Sequence, residues 1–137
     1  MVNNDAKIET ILEMFYGIIS GKTSEPRDWV KFKNLFLEKA VLSICKKDAQ
    51  GCIGISSFSV DEYMERLKPF LAARDFFEYA VSNELQIFGE ICCICNEYAA
   101  YGDDRREAFI KRGRNLVNMA FDGTGWKIAG MLWEDGV

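Results

Sequence analysis

Residues 84–134, ELQIFGEICCICNEYAAYGDDRREAFIKRGRNLVNMAFDGTGWKIAGMLWE, decide the fold. Residues 84–101 read as one long strand, with Gly89 as a bulge that bends it. Gly102-Asp103-Asp104 makes a turn, and residues 109–121 return as a second strand. Asp122-Gly123-Thr124-Gly125 turns again, and residues 126–134 close the sheet. In the long strand Cys92, Ile94, Asn96 and Tyr98 share one face, while Ile91, Cys93, Cys95 and Glu97 share the other. Both faces are mostly apolar, so both are expected to be covered. Helices can cover only one of them. The other is closed either by loops behind a twisted sheet or by a second copy of the chain. A homodimer through this outer face is expected, because a large apolar patch is rarely left open.

Upstream of this hairpin the periodicity changes. Over residues 5–20, Ile8, Ile11, Leu12, Phe15 and Ile19 form one apolar stripe at helical spacing. Asp5 is placed to cap this helix and Gly21 to end it. A short second helix holds Trp29, Phe32, Leu35 and Phe36, with Pro26 near its start. A third opens at Ser59-Val60-Asp61-Glu62, a capping box. It continues along the stripe Val60, Tyr63, Met64, Leu67 and Leu71 until Pro69 kinks or ends it. Residues 40–46, 52–58 and 75–82 read as further strands, the last rich in aromatics. Three helices and a meander of strands make an α+β arrangement rather than βαβ.

The chain of 137 residues fits a single domain, 1–137, able to bury a core without disulfide or metal staples. Hydrophobic residues make up 49% and charged residues 28%, and the net charge is −4. That charge as a whole disfavours nucleic acid and anionic membranes as partners. No apolar run approaches the roughly 20 residues needed to span a bilayer. The start, Met1-Val2-Asn3-Asn4-Asp5, lacks a basic n-region and an apolar h-region. The expectation is a cytoplasmic protein with five free thiols.

Several clusters suggest chemistry. Gly17-Ile18-Ile19-Ser20-Gly21-Lys22-Thr23 looks like a phosphate loop but has three residues, not four, before its Gly-Lys pair. It also ends a helix, where the backbone dipole repels phosphate. Cys93 and Cys95 point the same way, yet Cys45 and Cys52 form no second pair. Core packing explains them better than zinc, and no metal or cofactor is expected. Arg105, Arg106, Lys111, Arg112 and Arg114 form a basic patch that Asp103, Asp104 and Glu107 offset. The chain contains no histidine. That removes Ser–His–Asp and Cys–His nucleophiles and histidine acid–base catalysis. Carboxylate, tyrosine, lysine and cysteine chemistry remain. The pocket candidates are Tyr16, Trp29, Phe32, Tyr63, Ile94, Asn96, Tyr98, Asn115, Val117 and Trp133, a few polar groups among aromatic and aliphatic side chains.

A family likeness runs through these same residues. Arg27-Asp28-Trp29, Leu35-Phe36 and Ala40-Val41-Leu42 look like the second helix and following strand of nuclear-transport-factor-2-like proteins. Phe88-Gly89-Glu90-Ile91-Cys92 leading to Asn96-Glu97-Tyr98 is similar to the long strand of the SnoaL-like branch. Arg112-Gly113-Arg114-Asn115, then Asp122-Gly123-Thr124-Gly125-Trp126-Lys127-Ile128 and Leu132-Trp133-Glu134, resemble its closing hairpin. The resemblance implies a cystatin-like cone: three N-terminal helices on a strongly curved, mixed but mainly antiparallel sheet, with a central pocket and dimers through the sheet. Members include ketosteroid isomerases, dehydratases, epoxide hydrolases and polyketide cyclases. Tyr16 lies where the isomerases place an oxyanion-hole tyrosine. Their general-base aspartate would fall near Ile44, and the Asp–His pair of the dehydratases has no counterpart. The resemblance therefore implies the fold and pocket rather than a named reaction.

Two functions fit these features. One is a protein that binds a small apolar or aromatic molecule, with any catalysis of isomerase, dehydratase or cyclase type resting on a carboxylate or tyrosine whose pKa is shifted by apolar surroundings. The other is a non-catalytic homodimeric interaction module whose cavity is filled by side chains.

Overall fold

The computed structural model describes residues 4–136. Met1, Val2 and Asn3, on which the reading of the start partly rests, lie outside the described residues, as does Val137. The elements run α1 (Asn4–Ile19), α2 (Trp29–Lys33), β1 (Phe36–Lys47), β2 (Ile53–Ser59), α3 (Val60–Ala72), β3 (Phe77–Phe88), β4 (Ile91–Tyr101), β5 (Phe109–Phe121) and β6 (Trp126–Asp135). One six-stranded sheet has the order β2-β1-β6-β5-β4-β3. Only the β1–β6 pair is parallel. The sheet wraps its inner face around α1 and α3, which pack on β3, β6, β1 and β2.

The three helices form where the spacing predicts them, with local corrections. Asp5 falls inside the first turn of α1 rather than at its cap. α1 buries Ile8, Leu12, Phe15, Tyr16 and Ile19 against the sheet. α2 is a single turn and a half, capped by Asp28, whose carboxylate accepts the Lys31 N–H at 3.0 Å. Leu35 and Phe36 lie beyond it, because the Leu35 carbonyl accepts the Ile128 N–H at 2.8 Å and Phe36 already pairs with β6. Strand pairing therefore takes these two residues from the helix. The Ser59–Glu62 capping box is present, with bonds of 3.1 and 2.9 Å. Pro69 does not stop α3, which continues to Ala72. So close to the C-terminal end, its missing N–H removes a single bond.

The largest correction concerns Gly89. Residues 84–101 are not one bulged strand but parts of two strands, β3 and β4, paired from Phe88↔Ile91 to Phe77↔Tyr101. Gly89 and Glu90 form the connecting turn. Gly89 has φ +59 at its first central position, as a type II′ hairpin requires. An isolated glycine in an apolar run fits either a bulge or such a turn, and the pairing of the flanking residues decides. The irregularity in this ladder lies instead between Ala80 and Ser82.

The two faces of β4 have different fates. Cys92, Ile94, Asn96 and Tyr98 are buried on the inner face. On the outer face Ile91 is 59% exposed and Cys95 is exposed, Cys93 and Glu97 are half-buried, and only Ala99 at the far end is buried, so among the described residues most of this face is left open. Cys92 is thus a core residue, whereas Cys95 and Cys52 are not.

One glycine governs the inner face. Tyr98 of β4 pairs with Gly113 of β5, which pairs with Asp135 of β6. The Tyr98 ring crosses Gly113 and its hydroxyl donates to the Asp135 carboxylate, two strands away. A Cβ on residue 113 would meet the Tyr98 Cζ at 2.7 Å and the Glu134 carbonyl oxygen at 2.5 Å. Gly113→Ala is expected to cost roughly 1–3 kcal/mol through overpacking. Urea unfolding checks the loss, and an unchanged midpoint would show that Tyr98 moves aside freely.

Candidate functional site

A cavity of about 300 Å³ opens between α1, α3 and the inner face of the sheet. Its apolar walls come from Phe15 and Ile19 of α1, Tyr63, Leu67 and Phe70 of α3, and Ile44, Met131 and Trp133 of the sheet. Tyr63 and Trp133 meet edge to face, with ring centroids 5.4 Å apart. Phe70 and Phe76 do the same at 5.2 Å. Edge-to-face pairs hold both rings in place.

The polar groups divide into two sets. The first is a closed network at the cavity floor, which it reaches through Asn115. The Tyr16 hydroxyl donates to the Asn96 side-chain oxygen, and the Asn115 amide donates to Tyr16 at 2.8 Å and to Asn96 at 3.1 Å. The Asn96 amide in turn donates to Asn83 at 2.7 Å and to the Ser82 carbonyl at 3.3 Å. Each buried group finds a partner, so the network is rigid. Burial and the nearby Glu78 charge push the Tyr16 phenol up, so it stays neutral. Its proton points at Asn96 rather than into the cavity.

The second set lines the cavity: Glu78, Tyr98, Lys111 and Asp135, with Lys46 and Arg66 at the exposed rim. Lys111 lies 3.4 Å from the Asp135 carboxylate, which also accepts the Tyr98 hydroxyl. Arg66 sits over the Phe58 ring at 4.9 Å. Burial raises the Tyr98 and Tyr63 phenols, with acidic neighbours adding to both.

Glu78 is 8% exposed, and among the described residues no donor reaches its carboxylate. The fold holds its backbone firmly. The Ser20 hydroxyl at the end of α1 accepts the Glu78 N–H at 2.9 Å and donates to the Glu78 carbonyl at 3.3 Å. Gly21 and Phe76 exchange a pair of backbone bonds beside it, at 2.8 and 3.0 Å. Burial pushes the carboxyl up to about 7; the Lys111 ammonium opposes the rise and the Asp135 carboxylate adds to it. A carboxyl poised near neutrality can take up or release a proton at physiological pH.

Of the ten sequence-selected residues, Tyr63, Tyr98, Asn115 and Trp133 line the cavity. Tyr16 and Asn96 lie under its floor. Phe32, Ile94 and Val117 are fully buried in the core, and Trp29 packs on the flank of Phe32. Ile44, where the resemblance would put a general base, is an apolar wall. Sequence reasoning missed Glu78 and Asp135, and it read Lys111 as part of the basic patch rather than of the cavity. One signal for Glu78 was present: it is the acid on a strand face shared with Phe76 and Ala80. The basic hairpin patch is spread out, with Lys111 turned to the cavity, Arg114 paired with Glu97 at 3.7 Å and Arg106 stacked on Tyr79 at 3.9 Å. Among the described residues no group of three His, Cys, Asp or Glu side chains is placed to hold a metal ion.

The Glu78 shift has a stability consequence. Its ordinary value is 4.5, and in the fold it titrates near 7. The folded state binds this proton more tightly than the unfolded one, so the contribution of this group to stability is fully present below pH 4.5 and is lost as pH rises through 7. The loss is on the order of 3 kcal/mol. Glu78→Gln should remove this dependence and be the more stable form at pH 8. Denaturant titrations of both proteins across this range test it; parallel profiles would show a carboxyl that titrates as if solvated.

No known family profile matches the chain, and neither does any curated protein sequence. Solved structures do resemble it. A protein of unknown function with a cystatin-like fold from Nostoc punctiforme PCC 73102 superposes with a TM-score of 0.73 at 9% identity, over 96% of this chain and 90% of that one. An NTF2-like protein of unknown function from Silicibacter pomeroyi DSS-3 gives 0.69 at 15% identity, over 99% and 100%. The hexachlorocyclohexane dehydrochlorinase LinA-type3 from Novosphingobium barchaimii LL02 gives 0.72 at 9% identity, over 98% and 87%. With its six-stranded mixed sheet wrapped around helices, the chain has the cystatin-like fold of the NTF2-like proteins.

Proposed function

We propose that this protein binds a small molecule with an apolar or aromatic body in the cavity between α1, α3 and the sheet. One observation carries this reading: a cavity of about 300 Å³ with aromatic walls contains a buried, unpartnered carboxylate. A space of that size sits at the lower end of ligand pockets and equals about ten waters. A side-chain-filled core would leave no such space and would not strand Glu78 in it. Of the activities that the resemblance implies, acid–base chemistry of isomerase, dehydratase or cyclase type would fall to Glu78. The dehydrochlorinase shows that an enzyme can be built on this fold, without extending its reaction to this chain. Among the described residues no helix is long and apolar enough to cross a membrane. The five cysteines are unpaired, which supports a reducing, cytoplasmic setting.

At 100 times its dissociation constant a cavity ligand adds about 2.7 kcal/mol, raising Tm by roughly 10 °C for a domain of this size. Indole and phenethyl alcohol are suitable neutral probes. Absence of any shift at millimolar probe would count against the cavity reading.

A second reading concerns the outer face. Leu132 of β6 pairs with Leu116 of β5, which pairs with Cys95 of β4, an apolar row across the sheet. Leu132 is 42% and Leu116 49% exposed, and Ile53 and Ile55 of β2 exceed 60%. Arg114 and Glu134 flank the row with opposite charges, so a second copy turned by a two-fold axis can set each against its opposite. We infer a homodimer through this face. Light scattering at micromolar concentration should give twice the chain mass, and the double variant Leu116→Asp, Leu132→Asp the chain mass. A wild-type monomer would refute the interface.

A further inference from the structure

The cavity's charges are arranged unevenly, and the asymmetry indicates what kind of ligand it takes. Resting on the cavity reading above, we propose that the ligand is a ring-bearing molecule with one protonated amine, and that Glu78 is the group that holds the amine.

The argument begins with the groups that face Glu78. From α1, Tyr16 is committed to Asn96. From β4, Tyr98 is committed to Asp135. From β5, Lys111 pairs with Asp135 of β6 at 3.4 Å, so these two largely offset each other. From α3, Arg66 is exposed and lies over the Phe58 ring, and from β1, Lys46 is exposed. Both rim cations are solvated and contribute little inside. Tyr63 of α3, the remaining group, is a neutral phenol. Glu78 is therefore the cavity charge that is buried and has no hydrogen-bond donor of its own among the described residues.

An ionised carboxylate so placed is poorly solvated, and its nearest cation, Lys111, is already paired with Asp135, so a ligand that supplies a donor and positive charge relieves both deficits. An ammonium group supplies up to three donors. The walls favour the same charge. Phe15, Tyr63, Phe70, Phe76, Tyr98 and Trp133 surround the space, and aromatic faces attract cations. A carboxylate ligand would instead meet Glu78 and Asp135 without a free buried cation. The volume, about ten waters, suits one ring and a short amine-bearing arm.

Three isosteric probes separate the possibilities by calorimetry on the full chain: phenethylamine, phenethyl alcohol and phenylacetate. Phenethylamine is expected to bind at least tenfold more tightly than the other two at pH 8. Its affinity should fall about tenfold between pH 8 and pH 6, as Glu78 takes up a proton, while that of phenethyl alcohol stays flat. Glu78→Gln should abolish the preference for the amine and keep binding of the alcohol. Wild-type pH dependence provides the same information if that variant does not fold. Equal binding of amine and alcohol, or tighter binding of phenylacetate, overturns the amine assignment and leaves the cavity reading standing. Binding of none of the three overturns both.

Discussion

The hydrogen bonds of Tyr16 to Asn96 and Asn115 are the constraint on which the rest of the structure depends. They join the last turn of α1 to the middle of β4 and β5, among side chains almost wholly removed from water. Asn96 and Asn115 are cross-strand partners, so a one-residue slip of either strand would turn an amide to the outer face. The network therefore fixes both the seat of the helix and the register of the hairpin. Apolar contacts of Ile8, Leu12, Phe15 and Ile19 supply the larger driving force, but they do not choose one register among several. With α1 anchored there, its C-terminal end must pass beside the start of β3. That crossing brings Ser20 and Gly21 onto Glu78 and Phe76.

The cavity exists because two positions decline to fill it. Gly113 leaves room for the Tyr98 ring to cross β5 and reach Asp135. Glu78 puts a carboxylate where an aliphatic side chain would pack, at a cost to stability above neutral pH. That cost, carried without a structural partner for the charged group, is what supports the proposed ligand site. Asp135 differs, since its charge is shared between Tyr98 and Lys111.

The outer face has the opposite character. Its residues carry no buried polar network, and the sheet leaves Leu116, Leu132 and Ile91 open to solvent. The expectation that both faces of β4 are covered holds within the chain for the inner face only. A period of two with apolar residues in both phases is the pattern of a strand covered on both faces. It does not distinguish cover by the same chain from cover by another.

The sequence by itself determined the α+β class, the α1 stripe, the Ser59–Glu62 cap and the β5–β6 hairpin. Each rests on local periodicity or on a turn whose residues bond to near neighbours, as Asp122 does to Thr124 and Gly125. Gly89 was read as a bulge and is a turn, because a bulge and a two-residue turn ask the same conformational freedom of glycine. Only long-range pairing separated them. Tyr98 and Asn115 were legible as polar pocket candidates, yet neither the face they look to nor their company was. Glu78, Lys111 and Asp135 stand 24 or more positions apart in sequence along three strands. Only the strand order places them around one space, because burial and charge proximity are properties of the assembled sheet. Tyr16 shows the same limit from the other side: its position on α1 could be read, but the direction of its proton was set by Asn96, 80 residues away.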